Sequence, residues 1–382
     1  MTAEQILSFC RSSREWAVDC LAEMVRRESP TRDPDAVNRL GEFLTGLFRQ
    51  QDCLLEAVHP AERGAHLFGW GTGSVSCADR QPVLLLGHMD TVWPVGTLQS
   101  MPLRREGDRL YGPGIFDMKA GLLLMLFVAR AVRERVFLPR SPWKILIMAD
   151  EEASAPESRN VIEEQARDCR YVLCLEPPLS GNRAKTARKG SCRFLLEILG
   201  RAAHAGVNHA DGVSAVEELA HQVLRLQAMT DYARGTTVSV GTVHTRNAAN
   251  VIPDYAVAEI DVRAASRAEA DRVIGQIHAL APVLDGARLK VTDGIRRPPL
   301  ERTDGVAALY RSAACRAREL GFELGEGSSG GSSDGAFTAA LGIPTLDGMG
   351  VEGDGLHAEH EHVCVSDIAP KAALIMRILQ EY

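Results

Sequence analysis

Three apolar runs that end in polar residues stand out in the first half of the chain. They occupy residues 82–90, 143–152 and 171–177. Runs that are apolar at almost every position are typical of strands covered on both faces. The stretches between them, 118–132 and 159–169, have the apolar spacing of helices. Strands that alternate with helices predict βαβ units, and therefore an α/β fold whose mainly parallel sheet is sandwiched by helices.

The middle of the chain has a different pattern, in which polar and apolar residues alternate as they do in half-exposed antiparallel strands. The predicted strands cover 192–200, 237–245 and 255–264, and the predicted helices cover 211–229 and 267–283. We therefore predict a smaller α+β domain inserted at 187–296. It would divide the α/β domain into a first part, 1–186, and a second part, 297–382.

Both ends of the chain fit the larger domain. The N-terminal stretch predicts one helix over 2–27 with Thr2 as its cap. Near the C-terminus we predict a helix over 304–320, a short helix, a strand over 343–348 and a final helix capped by Ser366. The glycine-serine stretch 325–335 fits either a linker or a loop that faces substrate, and its place between two core helices favours the loop.

Composition excludes several classes of protein. The chain has 382 residues, 45% of them hydrophobic, and a net charge of −7, which argues against nucleic acid or an anionic membrane as the main partner. The most apolar run, 122–129, is too short to span a membrane. Charged residues such as Glu4 and Arg11 interrupt the N-terminus where a signal peptide would be apolar. We expect a cytoplasmic protein.

The nine cysteines carry no recognisable pattern. None of them forms a C-x-x-C pair, and their spacing is irregular. A disulfide framework or a thiolate zinc site is therefore a poor interpretation. Any metal in this protein should be held by histidine and carboxylate.

Candidate ligands follow each of the three predicted core strands. His88 and Asp90 end the first, Glu151 and Glu152 the second, and Glu176 the third. Active sites of parallel sheets lie outside the carboxyl ends of the strands, so these side chains should meet. Asp117, in the turn Gly-Pro-Gly-Ile-Phe-Asp, and His357, near the C-terminus, add ligands from loops.

This set of residues suits a site for two metal ions. One ring nitrogen of His88 can bind metal while Asp90 accepts a hydrogen bond from the other. Glu151 and Glu152 are adjacent and point in different directions, so one can bind metal while the other acts as a base. A carboxylate such as Asp117 can bridge two ions about 3.5–4 Å apart. Imidazole and carboxylate ligands fit two Zn²⁺, with Co²⁺ or Mn²⁺ as substitutes.

The same segments also resemble a known family. GHMDTV, GPGIFDMKAG, ADEE, LEP, RAAHAG, AANVIP, DVR, SSGGSSDGAF and a C-terminal GLH occur in that order. The pattern resembles the dinuclear zinc aminoacylase/carboxypeptidase family of metallopeptidases, from about residue 80 onward. Ala153-Ser-Ala-Pro, just after ADEE, departs from the glycine and serine that are common in relatives.

The resemblance implies a role for each residue. Asp117 would bridge the metals, His88 and Glu176 would complete one site, and Glu152 and His357 the other. Glu151 would be the general base and Asp90 the support for His88. The insert would be a dimerisation lid. In it, His204 would stabilise the oxyanion in the neighbouring subunit's site, and Asn250 and Arg263 would hold the substrate carboxylate. Without the resemblance, His204 and Asn250 also read as turn residues and Arg263 as an exposed strand residue.

The resemblance implies a homodimeric amidohydrolase that releases an amino acid with a free carboxylate from a peptidyl or acyl amide. Glu rather than Asp at position 176 resembles the carboxypeptidase and deacylase branch, and the tail PTLDGMGVEGDGLHAEHEHV resembles the glutamate carboxypeptidase group. An N-acyl amino acid deacylase is the alternative. A second alternative is a non-catalytic scaffold that retains the fold. The intact Glu151 and the complete ligand set argue against it.

Overall fold

The computed structural model describes residues 2–71, 80–155 and 157–381. By their contacts these residues divide into two compact units. Unit 1 comprises Met1–Thr186, Arg302–Ser329 and Ser333–Tyr382, and unit 2 comprises Ala187–Glu301 and Gly330–Ser332. The chain returns to unit 1 at Arg302 rather than at the predicted residue 297, because Leu300 still pairs with Arg188 as an isolated bridge.

The helices are numbered in chain order. They are α1 Ala3–Ser12, α2 Arg14–Val25, α3 Pro34–Arg49, α4 Ala120–Arg133, α5 Arg159–Ala166, α6 Ala215–Gln227, α7 Arg267–His278, α8 Asp304–Glu319, α9 Gly335–Ala340 and α10 Val365–Glu381. Among the described residues, none of these helices is both long and apolar enough to cross a membrane.

The strands are numbered in the same way. They are β1 Leu55–Ala61, β2 Gly64–Trp70, β3 Val83–His88, β4 Arg104–Glu106, β5 Arg109–Tyr111, β6 Trp143–Met148, β7 Tyr171–Cys174, β8 Arg183–Arg188, β9 Gly190–Leu199, β10 Ala203–His204, β11 Thr237–Thr245, β12 Val251–Ile252, β13 Tyr255–Ala264, β14 Arg288–Arg297, β15 Gly325–Ser329, β16 Thr345–Leu346, β17 Gly353–Asp354 and β18 His362–Cys364.

The main sheet of unit 1 has the order β1-β2-β6-β3-β7-β16. Its centre is parallel, as predicted, because β3 pairs in parallel with both β6 and β7, and β16 adds a further parallel strand. The β1-β2 hairpin, which we did not predict, extends the sheet in antiparallel fashion next to β6. The predicted α/β architecture with a mainly parallel sheet is confirmed.

Alternate residues of the central strands face two separate cores. Leu85 packs in a cluster with residues of α1, α2, α4, α8 and α10. Leu84 and Leu86 pack in a second cluster with residues of α5 and with Phe337 of α9. Helices therefore cover both faces of the strands, which explains why these strands are apolar at almost every position.

Unit 2 is an α+β unit built on an antiparallel sheet. The strand order is β11-β13-β9-β14, and α6 and α7 supply buried residues to its core. Three of these strands lie where the alternating pattern predicted them. The fourth, β14, was missed because most of its side chains are exposed and polar.

Two other details differ from the prediction. The N-terminal segment forms α1 and α2 rather than one helix, because Ser13 (φ −92°, ψ 6°) departs from helical geometry between them. Thr2 does cap α1, with its hydroxyl accepting from Gln5 N. Ser366 lies inside α10 rather than at its cap, and its hydroxyl donates to Asp108. The glycine-serine stretch includes a strand, β15, that pairs with β8.

Candidate metal centre

The candidate ligands that follow strands meet at one edge of the main sheet. β6, β3 and β7 run in parallel, with His88 opposite Met148 and Leu86 opposite Cys174. Residues that directly follow β6 and β7 therefore emerge beside His88. Glu152 lies in the short turn Glu151–Ala153, and Glu176 is two residues beyond the end of β7.

Asp117 reaches the same edge from an irregular turn, Ile115–Lys119, that precedes α4. Its backbone is not helical (φ −114°, ψ 97°). The turn begins after Gly114, whose φ of +69° lies in the left-handed region, where a Cβ would come within 2.4 Å of Thr91 Cγ2. Only glycine fits this conformation without displacing Thr91.

The carboxylate of Asp117 faces both histidines. Its Oδ1 lies 3.2 Å from His88 Nε2, and its Oδ2 lies 3.3 Å from His357 Nε2. A carboxylate that presents one oxygen to each of two imidazoles has the arrangement expected of a bridge between two cations.

The remaining ligands complete two groups that share Asp117. Glu176 Oε1 lies 3.5 Å from His88 Nε2, and Glu152 Oε1 lies 3.3 Å from His357 Nε2. The ligand atoms of His88, Asp117 and Glu152 all lie within 4.8 Å of one another. The structure thus brings together all five side chains that the resemblance assigns to metal, in the pairing that it implies.

The hydrogen bonds of His88 show that the cluster is suited to a cation. Its Nδ1 lies 2.9 Å from the carbonyl oxygen of Asp90, which can only accept, so Nδ1 carries the proton and donates. The lone pair of Nε2 then faces the carboxylates of Asp117 and Glu176. Glu152 Oε1 is buried and lies 3.3 Å from His357 Nε2. Acceptors that converge on one point require a proton or a metal ion between them.

The pKa values of the ligand side chains also indicate that positive charge is stabilised in this cluster. Burial alone would raise the pKa of Asp117, but His357 and His88 hold it well below its usual range. Hydrogen bonds to Asp117 and Glu152 raise the pKa of His357 to about 10. Burial raises the pKa of Glu152 to about 7. His88 is fully buried, which alone would lower its pKa, but its carboxylate neighbours raise it.

Asp90 contacts His88 and also the turn that carries both glutamates. Its backbone carbonyl accepts from His88 Nδ1 at 2.9 Å, and a carboxylate oxygen lies 3.4 Å from the same atom. The buried carboxylate also accepts from Thr31 Oγ1 at 2.7 Å and from the amides of Glu151 and Glu152, each at 3.1 Å. Asp90 therefore fixes the backbone that carries both glutamates.

Glu151 is the neighbour of the proposed ligand Glu152 in the sequence, but it is not a member of the candidate metal-binding group of His88, Asp117 and Glu152. It is half-buried, in the turn Glu151–Ala153, and its charge raises the pKa of Glu152. Its position beside a ligand is compatible with the predicted role of general base.

Sequence reasoning missed two buried charged residues that adjoin the cluster. Glu361 accepts hydrogen bonds from the backbone around Asp117, and Lys119 donates to Arg27 O at 3.0 Å. Both are almost fully buried. The only local signal is that a charged side chain lies close in sequence to a predicted ligand, Lys119 to Asp117 and Glu361 to His357.

The residues implied for the oxyanion and substrate belong to unit 2. His204 and Asn250 are exposed and lie near each other, because β10 and β12 pair and Ala205 N donates to Asn250 O. Nδ1 of His204 accepts from the amides of Gly206 and Val207. The ring proton therefore lies on Nε2, where it can be donated.

Arg263, on β13, does not present an unoccupied guanidinium. Its Nε donates to Asp261 Oδ1 at 2.7 Å and its Nη2 donates to Oδ2 at 3.1 Å. This bidentate pair uses the geometry with which arginine would bind a substrate carboxylate.

Comparison with known proteins identifies the family of this chain. Residues 84–381 match the model of peptidase family M20/M25/M40. Carboxypeptidase G2 from Pseudomonas sp. (strain RS-16) is 29% identical over 370 residues, which cover 95% of this chain and 88% of that protein. Succinyl-diaminopimelate desuccinylase from Delftia acidovorans is 27% identical over 334 residues, 82% of this chain and 84% of the relative.

Solved structures show the same fold. Aminopeptidase PepT from Bacillus cereus ATCC 10987 superposes with a TM-score of 0.81 at 21% identity, over 96% of this chain and 98% of that one. The M20 family metallo-carboxypeptidase Sso-CP2 from Sulfolobus solfataricus has a TM-score of 0.71 at 14% identity, over 95% and 98%. The chain therefore belongs to peptidase family M20/M25/M40 and is a metallohydrolase that acts on amide bonds.

Proposed function

We propose that this metallohydrolase releases an amino acid with a free carboxylate from a peptidyl amide, as a glutamate-carboxypeptidase-like enzyme. The observation that carries the proposal is the pair of ligand groups that share Asp117, with Glu151 beside them. The similarity to carboxypeptidase G2 over 95% of the chain supports this substrate class.

We infer a centre for two Zn²⁺, with Co²⁺ or Mn²⁺ as substitutes. His88, Glu176 and Asp117 would hold one ion, and Glu152, His357 and the same Asp117 the other. Bound there, the cations would polarise the amide carbonyl and lower the pKa of water.

The chain's own residues account for the movement of protons. Glu151 would accept a proton from the water whose oxygen forms a bond to the amide carbon. It would pass that proton to the amide nitrogen as the carbon–nitrogen bond breaks, so that the amine leaves neutral and Glu151 is restored. Asp90, by fixing the backbone of Glu151, would keep this base in place.

We propose three residues of unit 2 for substrate binding. His204 would donate from Nε2 to the oxyanion in the neighbouring subunit's site, which agrees with the tautomer fixed by Gly206 and Val207. Asn250 would bind the substrate carboxylate. Arg263 could do so only if that carboxylate replaced Asp261 as its partner.

An N-acyl amino acid deacylase is the second candidate. The similarity to succinyl-diaminopimelate desuccinylase over 82% of the chain favours it. Both reactions use the same centre, so the difference lies in the group that is recognised on the acyl side of the amide.

We also propose that unit 2 forms a homodimer. β11 is an edge strand of its sheet, and most of its residues from Ser239 to Thr245 are exposed. Edge strands with unpaired backbone groups readily pair with a second chain. Light scattering after size-exclusion chromatography would show a mass near 83 kDa, twice the 41.5 kDa of one chain; a single-chain mass would refute this.

The function can be tested with one variant and one substrate screen. Metal content of the purified protein would be measured first, and then hydrolysis of peptidyl-glutamates and of N-acyl amino acids, with and without chelator. We expect peptidyl-glutamate to be the better substrate and the chelator to abolish turnover. Preference for N-acyl amino acids would favour the second candidate, and no turnover of either would favour the non-catalytic scaffold.

Glu151→Gln separates the base from the metal ligands. We expect it to lower kcat by about 10²–10⁴-fold, the usual contribution of a general base, while metal content stays unchanged. Glu164→Gln, at an exposed position of α5, is the matched control and should be as active as the parent. If Glu151→Gln retains parental activity, Glu151 is not the base.

A further inference from the structure

Glu361 is a buried carboxylate that receives four hydrogen bonds. Its Oε1 accepts from the amides of Phe116 at 2.8 Å and Asp117 at 3.1 Å. Its Oε2 accepts from the amide of Gly114 at 2.9 Å and from Trp93 Nε1 at 2.7 Å. The side chain is 0% exposed. Three of the four donors are backbone amides of the segment that carries Asp117.

These bonds replace the regular pairing that this segment lacks. The turn Ile115–Lys119 is neither strand nor regular helix at Asp117 and Met118. Backbone amides that are buried must find an acceptor, and here a side chain from a residue 244 positions away supplies it. Since Asp117 N is one of the donors, Glu361 restrains the backbone from which the Asp117 carboxylate projects.

Glu361 also belongs to the loop that carries His357. It follows His357 by four residues, and its amide donates to Ala358 O at 2.9 Å. Its own carbonyl accepts from Gly112 N at 3.2 Å. The side chain and the backbone of Glu361 thus connect the loop of His357 to the loop of Asp117. The two loops meet where Asp117 Oδ2 lies 3.3 Å from His357 Nε2.

A positive charge lies close enough to act on this carboxylate. Lys119 is 1% exposed, donates to Arg27 O and interacts with the charges of Glu361 and Glu28. A buried carboxylate is costly unless it is hydrogen-bonded and paired. Here the four hydrogen bonds and the charge of Lys119 offset that cost.

We propose that Glu361 is a positioning residue of the metal centre. It fixes the loops of Asp117 and His357 relative to each other, so that the Asp117 carboxylate can belong to both ligand groups. The inference rests on the metal centre proposed above. Residues that orient metal ligands typically change metal affinity by about 10–100-fold when they are altered.

Glu361→Gln tests this with little change in size. The amide has one oxygen, so its NH₂ group must face two of the four N–H donors. We expect the full-length variant to bind Zn²⁺ about 10–100-fold more weakly than the parent, measured by competition with a chromophoric chelator. An unchanged Zn²⁺ affinity in the folded variant would overturn the inference.

Glu218→Gln is the matched control. Glu218 is also 0% exposed and also holds a loop through backbone amides, those of Val283 and Leu284. It lies in unit 2, away from the ligand-bearing segments in sequence. We expect Glu218→Gln to bind Zn²⁺ within twofold of the parent. An equal loss of affinity in both variants would show that Glu361 acts through general stability, and would overturn the inference.

Hydrogen exchange of the metal-free parent protein decides the matter even if Glu361→Gln does not fold. The amides of Gly114, Phe116 and Asp117 should exchange slowly without any metal, because Glu361 already holds them. Exchange at the rate of an unstructured chain would overturn the inference. If these amides exchange slowly but the parent protein does not bind Zn²⁺, the proposed metal centre is refuted, and the positioning role is refuted with it.

Discussion

Asp90→Asn is the substitution for which the structure gives the most specific expectation. The carboxylate of Asp90 is fully buried and accepts from Thr31 Oγ1, Glu151 N and Glu152 N. Asparagine has nearly the same shape but only one acceptor oxygen. Whichever way the amide is turned, its NH₂ group faces the backbone amide of either Glu151 or Glu152.

The cost can be worked out from these contacts. A hydrogen bond to a charged group contributes about 1.5–3 kcal/mol, and the variant loses one such bond and leaves a buried N–H unpaired. It also loses the attraction between the Asp90 carboxylate and His88 Nδ1, which lie 3.4 Å apart. We therefore expect the free energy of unfolding to fall by about 2–3 kcal/mol. Turnover should fall as well, because the backbone of the proposed base is released.

Tryptophan fluorescence during urea denaturation measures this effect in unit 1 alone. All four tryptophans belong to unit 1: Trp16, Trp70, Trp93 and Trp143. Asp19→Asn, at an exposed position of α2, is the control and should stay within about 0.5 kcal/mol of the parent. A change of less than about 0.5 kcal/mol in metal-free Asp90→Asn would refute the role given to its carboxylate.

Two further predictions concern the fold. Gly46→Ala should raise the free energy of unfolding by about 0.5–1 kcal/mol, since nothing lies within 4 Å of a Cβ at this position of α3. Gly121→Ala should lower it, since a Cβ at this position of α4 would lie 2.1 Å from Leu175 O. Tryptophan fluorescence in urea measures both changes, and two changes in the same direction would contradict these contacts. Hydrogen bonds from Arg272 and its neighbours lower the pKa of Glu269 from 4.5 to about 2, so its stabilising effect is complete above pH 4.5 and is lost as the pH falls toward 2. Urea denaturation followed by circular dichroism should show Glu269→Gln less stable than the parent at pH 7, with a gap that narrows below pH 4.5; a gap independent of pH would refute the ion pair.

The sequence was most informative where structure follows from continuous burial. The centre of the sheet, β3 with β6 and β7, could be predicted because each strand is buried at every position and apolar at almost every one. β1 and β14 were missed for the opposite reason. Both lie at sheet edges, where solvent accepts polar residues and the apolar pattern weakens.

The candidate site divides in the same way. His88 and Glu176 follow core strands, and their meeting follows from parallel pairing alone. The hydrogen bonds from Glu151 N and Glu152 N to Asp90 could not be predicted, because they depend on the local backbone geometry of the turn. The partners of Glu361 could not be predicted, since residues 114–117 lie more than 240 positions away from it.

This division implies that the two ligand groups depend on different parts of the fold. His88 ends one strand of the main sheet and Glu176 follows another, so the sheet's hydrogen bonds and two hydrophobic cores hold them. Asp117 and His357 lie on loops, and Glu361 joins those loops through its side chain and its backbone. Disturbing Glu361 should therefore weaken the group that contains His357 more than the group that contains His88. In a protein that binds two ions, the loss should appear as one weakened site and one site close to its original affinity.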